Sequence, residues 1–148
     1  MIAKASRSLT VLSCLLFAAA CSPDDGIDPG GETFTGVSDN AVITLTGTEP
    51  FWGIEIAPDG ELYRAAFSSP ENPEGSNFAV TRFAGNNGLG FSGEMDGVPA
   101  QIALTPGACA DGMSDRSYPY TATVALGDEV LMGCGYTSDE PFAGDAAP

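Results

Sequence analysis

The chain has 148 residues, with 20 Asp and Glu against five Lys and Arg, a formal net charge of −15, and no histidine. This length suits one domain and is short for two. So acidic a surface repels phosphate backbones, which argues against nucleic-acid binding, and the lack of histidine removes the most frequent general base.

The first 20 residues are predicted to be a signal peptide. A short basic stretch precedes an apolar run from Leu9 to Ala20, which is shorter than the roughly 20 residues that a membrane span needs. Three alanines then precede Cys21, and this sequence resembles the bacterial lipobox, in which the Cys thiol receives a diacylglycerol. Ala18 stands where Leu is usual. We expect lipidation of Cys21, with cleavage after Ala20 and no acylation as the alternative.

Removal of residues 1–20 leaves three arginines against all 20 acidic residues, a formal net charge of −17. Ser22 follows Cys21, where resemblance to lipoproteins held in the inner membrane would place Asp. We therefore expect an outer-membrane lipoprotein that faces the periplasm, with a secreted or inner-membrane form as alternatives. The expected partners are the lipid bilayer, through acylated Cys21, and a cationic protein or a small ligand.

Two segments are too polar and too rich in small residues to form a core. Residues 21–39 contain Asp28-Pro29-Gly30-Gly31 and are predicted to be a flexible tether. Residues 137–148 are similarly acidic and are predicted to be a disordered tail. The folded domain is expected to span residues 40–136.

Within that domain, apolar residues alternate with polar or small ones, which is typical of half-buried strands. Asp-Gly pairs at 59–60 and 96–97 and the Gly127-Asp128 pair predict tight hairpin turns. No helical period is found. Eight strands are predicted, at Ala41–Thr46, Phe51–Ala57, Leu62–Phe67, Phe78–Phe83, Leu89–Met95, Val98–Leu104, Tyr118–Leu126 and Glu129–Cys134.

The predicted fold class is all-β. A single open sheet would leave its apolar face in water, so the sheet must close on itself or pack on a second sheet. Successive hairpins favour a small antiparallel β-barrel of about eight strands, because closure also removes exposed edges. A β-sandwich is the second choice.

The four cysteines divide into two groups. Cys14 lies in the signal peptide and Cys21 is the expected lipid site, which leaves Cys109 and Cys134 in an oxidising compartment. We expect these two to form a disulfide. A two-cysteine metal site is the alternative, but the sequence supplies neither a histidine nor a third nearby thiol for it.

Two segments have distinctive sequences. Gly47–Trp52 reads GTEPFW, and Cys109–Tyr120 reads CADGMSDRSYPY, with Gly133-Cys134 downstream. Together they resemble a family of uncharacterised bacterial envelope lipoproteins with a Gly-x-Glu-Pro-Phe-Trp entry and a Cys-x-Asp-Gly-Met-Ser-Asp-Arg-x-Tyr-Pro-Tyr block. The resemblance implies a compact β fold and the disulfide, and it implies no particular activity.

Arg116 leads the candidate binding residues, because it is one of three basic residues after the signal peptide. As an anion-binding group it would act with apolar walls from the aromatic side chains. In a structural alternative, Arg116 pairs with a carboxylate and the aromatic side chains are buried, so that together they close one end of the barrel. In a third interpretation, Asp111, Ser114 and Asp115 bind a calcium ion. The candidate residues are Glu49, Trp52, Asp111, Ser114, Asp115, Arg116, Tyr118 and Tyr120.

The predicted function is a non-catalytic binding or interaction module of the cell envelope, without a cofactor or resident metal. One alternative is a protein that resembles the small lipoprotein inhibitors of lysozyme, since an acidic surface suits a cationic enzyme. A second is a hydrolase that uses a carboxylate pair such as Glu49 and Asp111.

Overall fold

A computed structural model describes residues 32–145; the predicted signal peptide, Cys21 and most of the predicted tether lie outside these residues. The eight strands form one closed antiparallel barrel in sequence order. They are β1 (Ile43–Thr48), β2 (Phe51–Asp59), β3 (Leu62–Ser69), β4 (Asn72–Ala84), β5 (Leu89–Met95), β6 (Val98–Cys109), β7 (Tyr118–Leu126) and β8 (Glu129–Thr137). Within residues 32–145 there is no helix of the length and apolarity needed to cross a membrane.

Closure of the barrel joins β8 to β1, with Leu45 opposite Gly135 and Thr46 opposite Cys134. The all-β fold, the eight-strand antiparallel barrel and its disulfide are therefore confirmed, and the sandwich alternative is wrong. Closure pairs every strand on both sides, so this sheet has no free edge.

Alternation along each strand produces the core. In β7, Tyr120, Ala122, Val124 and Leu126 are buried while the residues between them are half-buried or exposed. The side-chain period of two in a strand directs one such set into the barrel. In the Asp96-Gly97 turn, φ is 53° at Asp96 and 83° at Gly97. Positive φ at both residues is typical of the two-residue hairpin turn whose twist matches that of the strands.

Two of the strands that are longer than the sequence predicts, β4 and β6, are extended the most. β4 begins at Asn72 rather than Phe78, and β6 continues to Cys109 rather than ending at Leu104. Both extensions contain Pro and Gly, which have low strand propensity. Pairing with the adjacent strand holds them in place, with a register irregularity in each pair.

The barrel has two different ends. The hairpin turns at residues 49–50, 70–71, 96–97 and 127–128 surround what we call the open end. The other end, called the closed end, is covered by the segment that precedes β1. There Val37 and Ala41 are buried in the core, Phe34 packs against it, and the Phe34 N–H donates to the carbonyl of Gly85 at 2.8 Å.

The predicted tether therefore differs from the structure over residues 32–39. The Arg82 guanidinium forms an ion pair with Asp39 and donates to the carbonyl of Val37 at 3.0 Å. The Tyr63 hydroxyl donates to the carbonyl of Asp39 at 2.9 Å. Two apolar side chains within a polar segment are enough to attach it, because the barrel end offers them a preformed apolar surface.

The predicted disordered tail also differs from the structure, over residues 137–145. Thr137 is the last residue of β8 and is buried. Ser117 and Ala143 exchange two backbone hydrogen bonds of 2.9 Å. Phe142 packs edge-on against Tyr136, with ring centroids 5.2 Å apart. Residues 146–148 lie outside the described residues.

Candidate functional site

A cavity of about 540 Å³ lies at the open end of the barrel. Inward side chains from five strands form its wall: Trp52, Phe67, Met95, Leu126 and Leu131. Its volume lies within the range of small-molecule sites, and such sites are mostly apolar with a few polar groups. At the closed end, Val37 and Ala41 are buried in the core.

The rim of this cavity combines apolar and acidic side chains. Phe51 is 52% exposed and Val98 is 40% exposed, although both are large hydrophobic residues. The charged residues of the rim are Glu71, in the β3–β4 turn, and Glu129, the first residue of β8. The rim therefore presents negative charge next to an apolar interior.

Trp52 lies on the cavity wall and is only 5% exposed. Its indole covers two glycines of the barrel wall, Gly47 on β1 and Gly133 on β8. A Cβ at Gly47 would overlap the indole nitrogen, and a Cβ at Gly133 would lie 2.8 Å from the indole Cζ2. The two glycines provide the space in which a side chain as large as Trp lies flat inside a small barrel.

The indole Nε1–H of Trp52 is buried and has no hydrogen-bond acceptor among the described residues. Buried donors are almost always satisfied, and an unsatisfied one costs about 1–3 kcal/mol. The Nε1 atom lies against Gly47, which does not line the cavity.

The other distinctive segment lies elsewhere, on the outer wall of the barrel. A Cβ at Gly135 would meet Leu45 and Leu104 of the core, so the neighbouring Cys134 faces outward. It is nevertheless only 2% exposed, because its disulfide to Cys109 brings the loop between β6 and β7 over it. The Cα atoms of the two cysteines are 5.5 Å apart.

Asp111 organises this loop. Its carboxylate accepts hydrogen bonds from the Met113 N–H at 2.9 Å, the Ser114 N–H and hydroxyl at 2.8 Å, and the Tyr118 hydroxyl at 3.0 Å. These bonds, led by that from Met113, lower the pKa of Asp111 to about 2. The carbonyl of Asp111 accepts a bond from the Thr48 hydroxyl at 3.1 Å, which attaches the loop to β1.

The hydrogen bonds of Asp111 bear on two alternatives from the sequence, a carboxylate pair for hydrolysis and a calcium site. Asp111 stays ionised at neutral pH, so it is unsuited to act as the acid of a glycosidase pair. Its oxygens accept bonds from Ser114, and no cluster of three acidic or thiol ligands occurs within residues 32–145. Asp115 is exposed and its side chain takes no part in these bonds.

Arg116 is neither in the cavity nor paired with a carboxylate in the described part of the chain. Its guanidinium lies over the Phe142 ring, 4.6 Å from the centroid, and its Nε donates to the carbonyl of Asp145 at 3.2 Å. The structure therefore assigns to Arg116 the attachment of the C-terminal segment, by a cation–π contact and a backbone hydrogen bond.

The two tyrosines are buried, as the sequence predicts, but their hydroxyls do not reach the open end. Tyr118 bonds to Asp111, and the Tyr120 hydroxyl donates to Glu140 at 2.6 Å. Burial, then the bond to Glu140, raises the pKa of Tyr120 to about 12. Burial likewise raises the pKa of Tyr118.

Of the eight candidate binding residues, only Trp52 lines the cavity at the open end. Glu49 is exposed in the adjacent β1–β2 turn, next to Pro50, which contributes to the rim. Four residues of the cavity wall were not among the candidates from the sequence: Phe67, Met95, Leu126 and Leu131. Each is an apolar residue within a few positions of a turn at the open end, and that shared position was the available indication.

No protein-family model, curated protein or solved structure matches this chain. The functional conclusion therefore depends on the geometry of the site.

Proposed function

We propose that this protein is a non-catalytic binding module that takes an apolar small molecule into the open end of its barrel. The observation that carries the proposal is the cavity of about 540 Å³ at the open end, whose wall includes Trp52, Phe67 and Leu131. An apolar wall with few polar groups is the usual composition of such sites.

The binding test uses N-phenyl-1-naphthylamine, a neutral dye whose emission rises in apolar surroundings. Trp52 is the single tryptophan of the chain, so energy transfer from Trp52 to the dye reports binding close to it. We expect saturable emission with one site per chain. No saturable binding would refute the proposal.

A cavity-filling variant locates the dye. Met95 is half-buried on the cavity wall, and Met95→Trp would occupy part of the volume. We expect at least a tenfold weaker dye affinity. Thr81→Trp is the matched control, because Thr81 is exposed on the outside of β4 and does not line the cavity. Equal affinities for the two variants would place the dye elsewhere.

We also propose that the chain is exported, cleaved before Cys21 and acylated there. Supporting this are the apolar run and the alanines before Cys21 and the disulfide, which is typical of oxidising compartments. The described chain enters the barrel at the closed end, so a tether attached there does not need to pass the open end. Mass spectrometry of the mature protein should show a diacylglycerol adduct that Cys21→Ser abolishes; an unmodified N-terminus would contradict lipidation.

A second candidate is binding to a cationic protein such as lysozyme. Its support is the charge of −17 after removal of residues 1–20, which attracts basic partners over long range. The purified domain would then inhibit lysis of bacterial cells by lysozyme at low salt and less so at high salt. Unchanged lysis at low salt would exclude this candidate and leave the cavity proposal unaffected.

A further inference from the structure

The charge distribution around the cavity narrows the class of ligand. Glu71 and Glu129 lie on its rim, and no basic residue contributes to the part of the site that the structure describes. Arg82 is paired with Asp39 at the closed end, and Arg116 is stacked on Phe142. An anionic headgroup at this rim would find two like charges and no counter-charge.

The walls next to these carboxylates are aromatic. Phe51, Trp52 and Phe67 all line the cavity, and aromatic faces attract cations, ammonium groups in particular. The site thus combines two carboxylates with aromatic side chains at the mouth of an apolar cavity.

Resting on the proposed function, we infer that the ligand is a cationic amphiphile. Its apolar part lies in the cavity against Phe67, Met95 and Leu131, and its ammonium group lies at the rim beside Glu71 and Glu129. The negative field of the whole domain raises the local concentration of such cations, while the two rim carboxylates select for charge at the site itself.

The experiment compares three ligands with the same ten-carbon chain: decyltrimethylammonium, decyl maltoside and decyl sulfate. The affinity of each ligand is measured by its displacement of bound N-phenyl-1-naphthylamine, at ligand concentrations below the critical micelle concentration and at low ionic strength. We expect decyltrimethylammonium to bind about tenfold more tightly than decyl maltoside, and decyl sulfate to bind most weakly. The preference should decrease at physiological salt, where the screening length is about 8 Å.

Two double variants distinguish the effect of the rim carboxylates on ligand preference from the effect of the net charge of the domain. Glu71→Gln/Glu129→Gln should remove the preference for decyltrimethylammonium over decyl maltoside. The control Glu55→Gln/Glu61→Gln changes the net charge equally at two exposed positions that do not line the cavity, and it should keep the preference.

Failure of this inference is distinguishable from failure of the proposed function. Equal binding of the three ligands, or equal loss of preference in both double variants, would overturn the inference while dye binding stands. If neither the dye nor decyl maltoside binds, the proposed function fails and the inference fails with it.

Discussion

Gly47 lies directly opposite Trp52 in the β1–β2 pair, and the indole covers the inner side of the glycine backbone. A Cβ at this position would overlap the indole nitrogen. The two residues therefore form one packing unit, and the shape of the open end depends on both.

Gly47→Ala should lower the free energy of unfolding by about 1–3 kcal/mol, because the new methyl group forces the indole out of its position. Urea denaturation measures this change. Gly107→Ala is the matched control: its Cβ would meet nothing within 4 Å, so its stability should be unchanged or slightly higher. Equal effects of the two substitutions would contradict the packing account.

The disulfide should stabilise the barrel by about 3 kcal/mol, because Cys109 and Cys134 are 25 residues apart and their link restricts the unfolded chain. Urea denaturation of Cys109→Ala/Cys134→Ala measures the loss. A reducing agent should shift the wild type by a similar amount and leave the double variant unchanged. A loss below about 1 kcal/mol would mean that the loop contacts alone hold β6 and β8 in place.

Asp111 should make stability depend on pH in the acidic range. Its folded pKa of about 2 lies below its ordinary value of 3.8, so its stabilising contribution is complete above pH 4 and disappears as the pH falls through 2. The stability difference between wild type and Asp111→Asn should therefore shrink from pH 4 to pH 2. Asp115→Asn, which removes an exposed carboxylate outside the hydrogen-bond set, is the control for the loss of one negative charge.

Tyr120 should titrate at unusually high pH. Its raised pKa, about 12 against an ordinary 10.0, means that its contribution to stability is complete below pH 10 and is lost as the pH rises through 12. In Glu140→Gln the pKa should fall but stay above 10, because burial is the larger cause. NMR titration of the tyrosine ring carbons measures this shift, with Asp128→Asn as a control of equal charge change at the open end.

Arg116→Ala should loosen the C-terminal segment without affecting ligand binding. The lost contact with Phe142 corresponds to about 0.5–1 kcal/mol at an exposed site, and limited proteolysis should cut within residues 138–145 more rapidly. Arg64→Ala, at an exposed arginine of β3, should leave the cleavage rate unchanged. Loss of dye binding in a folded Arg116→Ala variant would contradict this assignment and indicate that Arg116 takes part in ligand binding.

Local sequence patterns were sufficient for the strands and hairpins and insufficient for the ends of the barrel. The alternation in Tyr118–Leu126 and the Asp96-Gly97 pair act through neighbouring residues, so they predict strands and a hairpin without knowledge of the rest of the chain. The segments around Phe34 and Phe142 contain few apolar residues, and their order depends on surfaces that exist only after the barrel has closed.

The sequence by itself determined the strands and their antiparallel hairpin connections, because backbone preference and side-chain alternation operate over a few residues. The cysteine pair followed by elimination among the four cysteines. Only the tertiary structure decided that Trp52 meets Phe67, Met95, Leu126 and Leu131 at one end, while Arg116 lies against Phe142 away from that cavity. The register of each strand pair and the closure of β8 on β1 bring together residues distant in sequence, and no local pattern records which of them will meet.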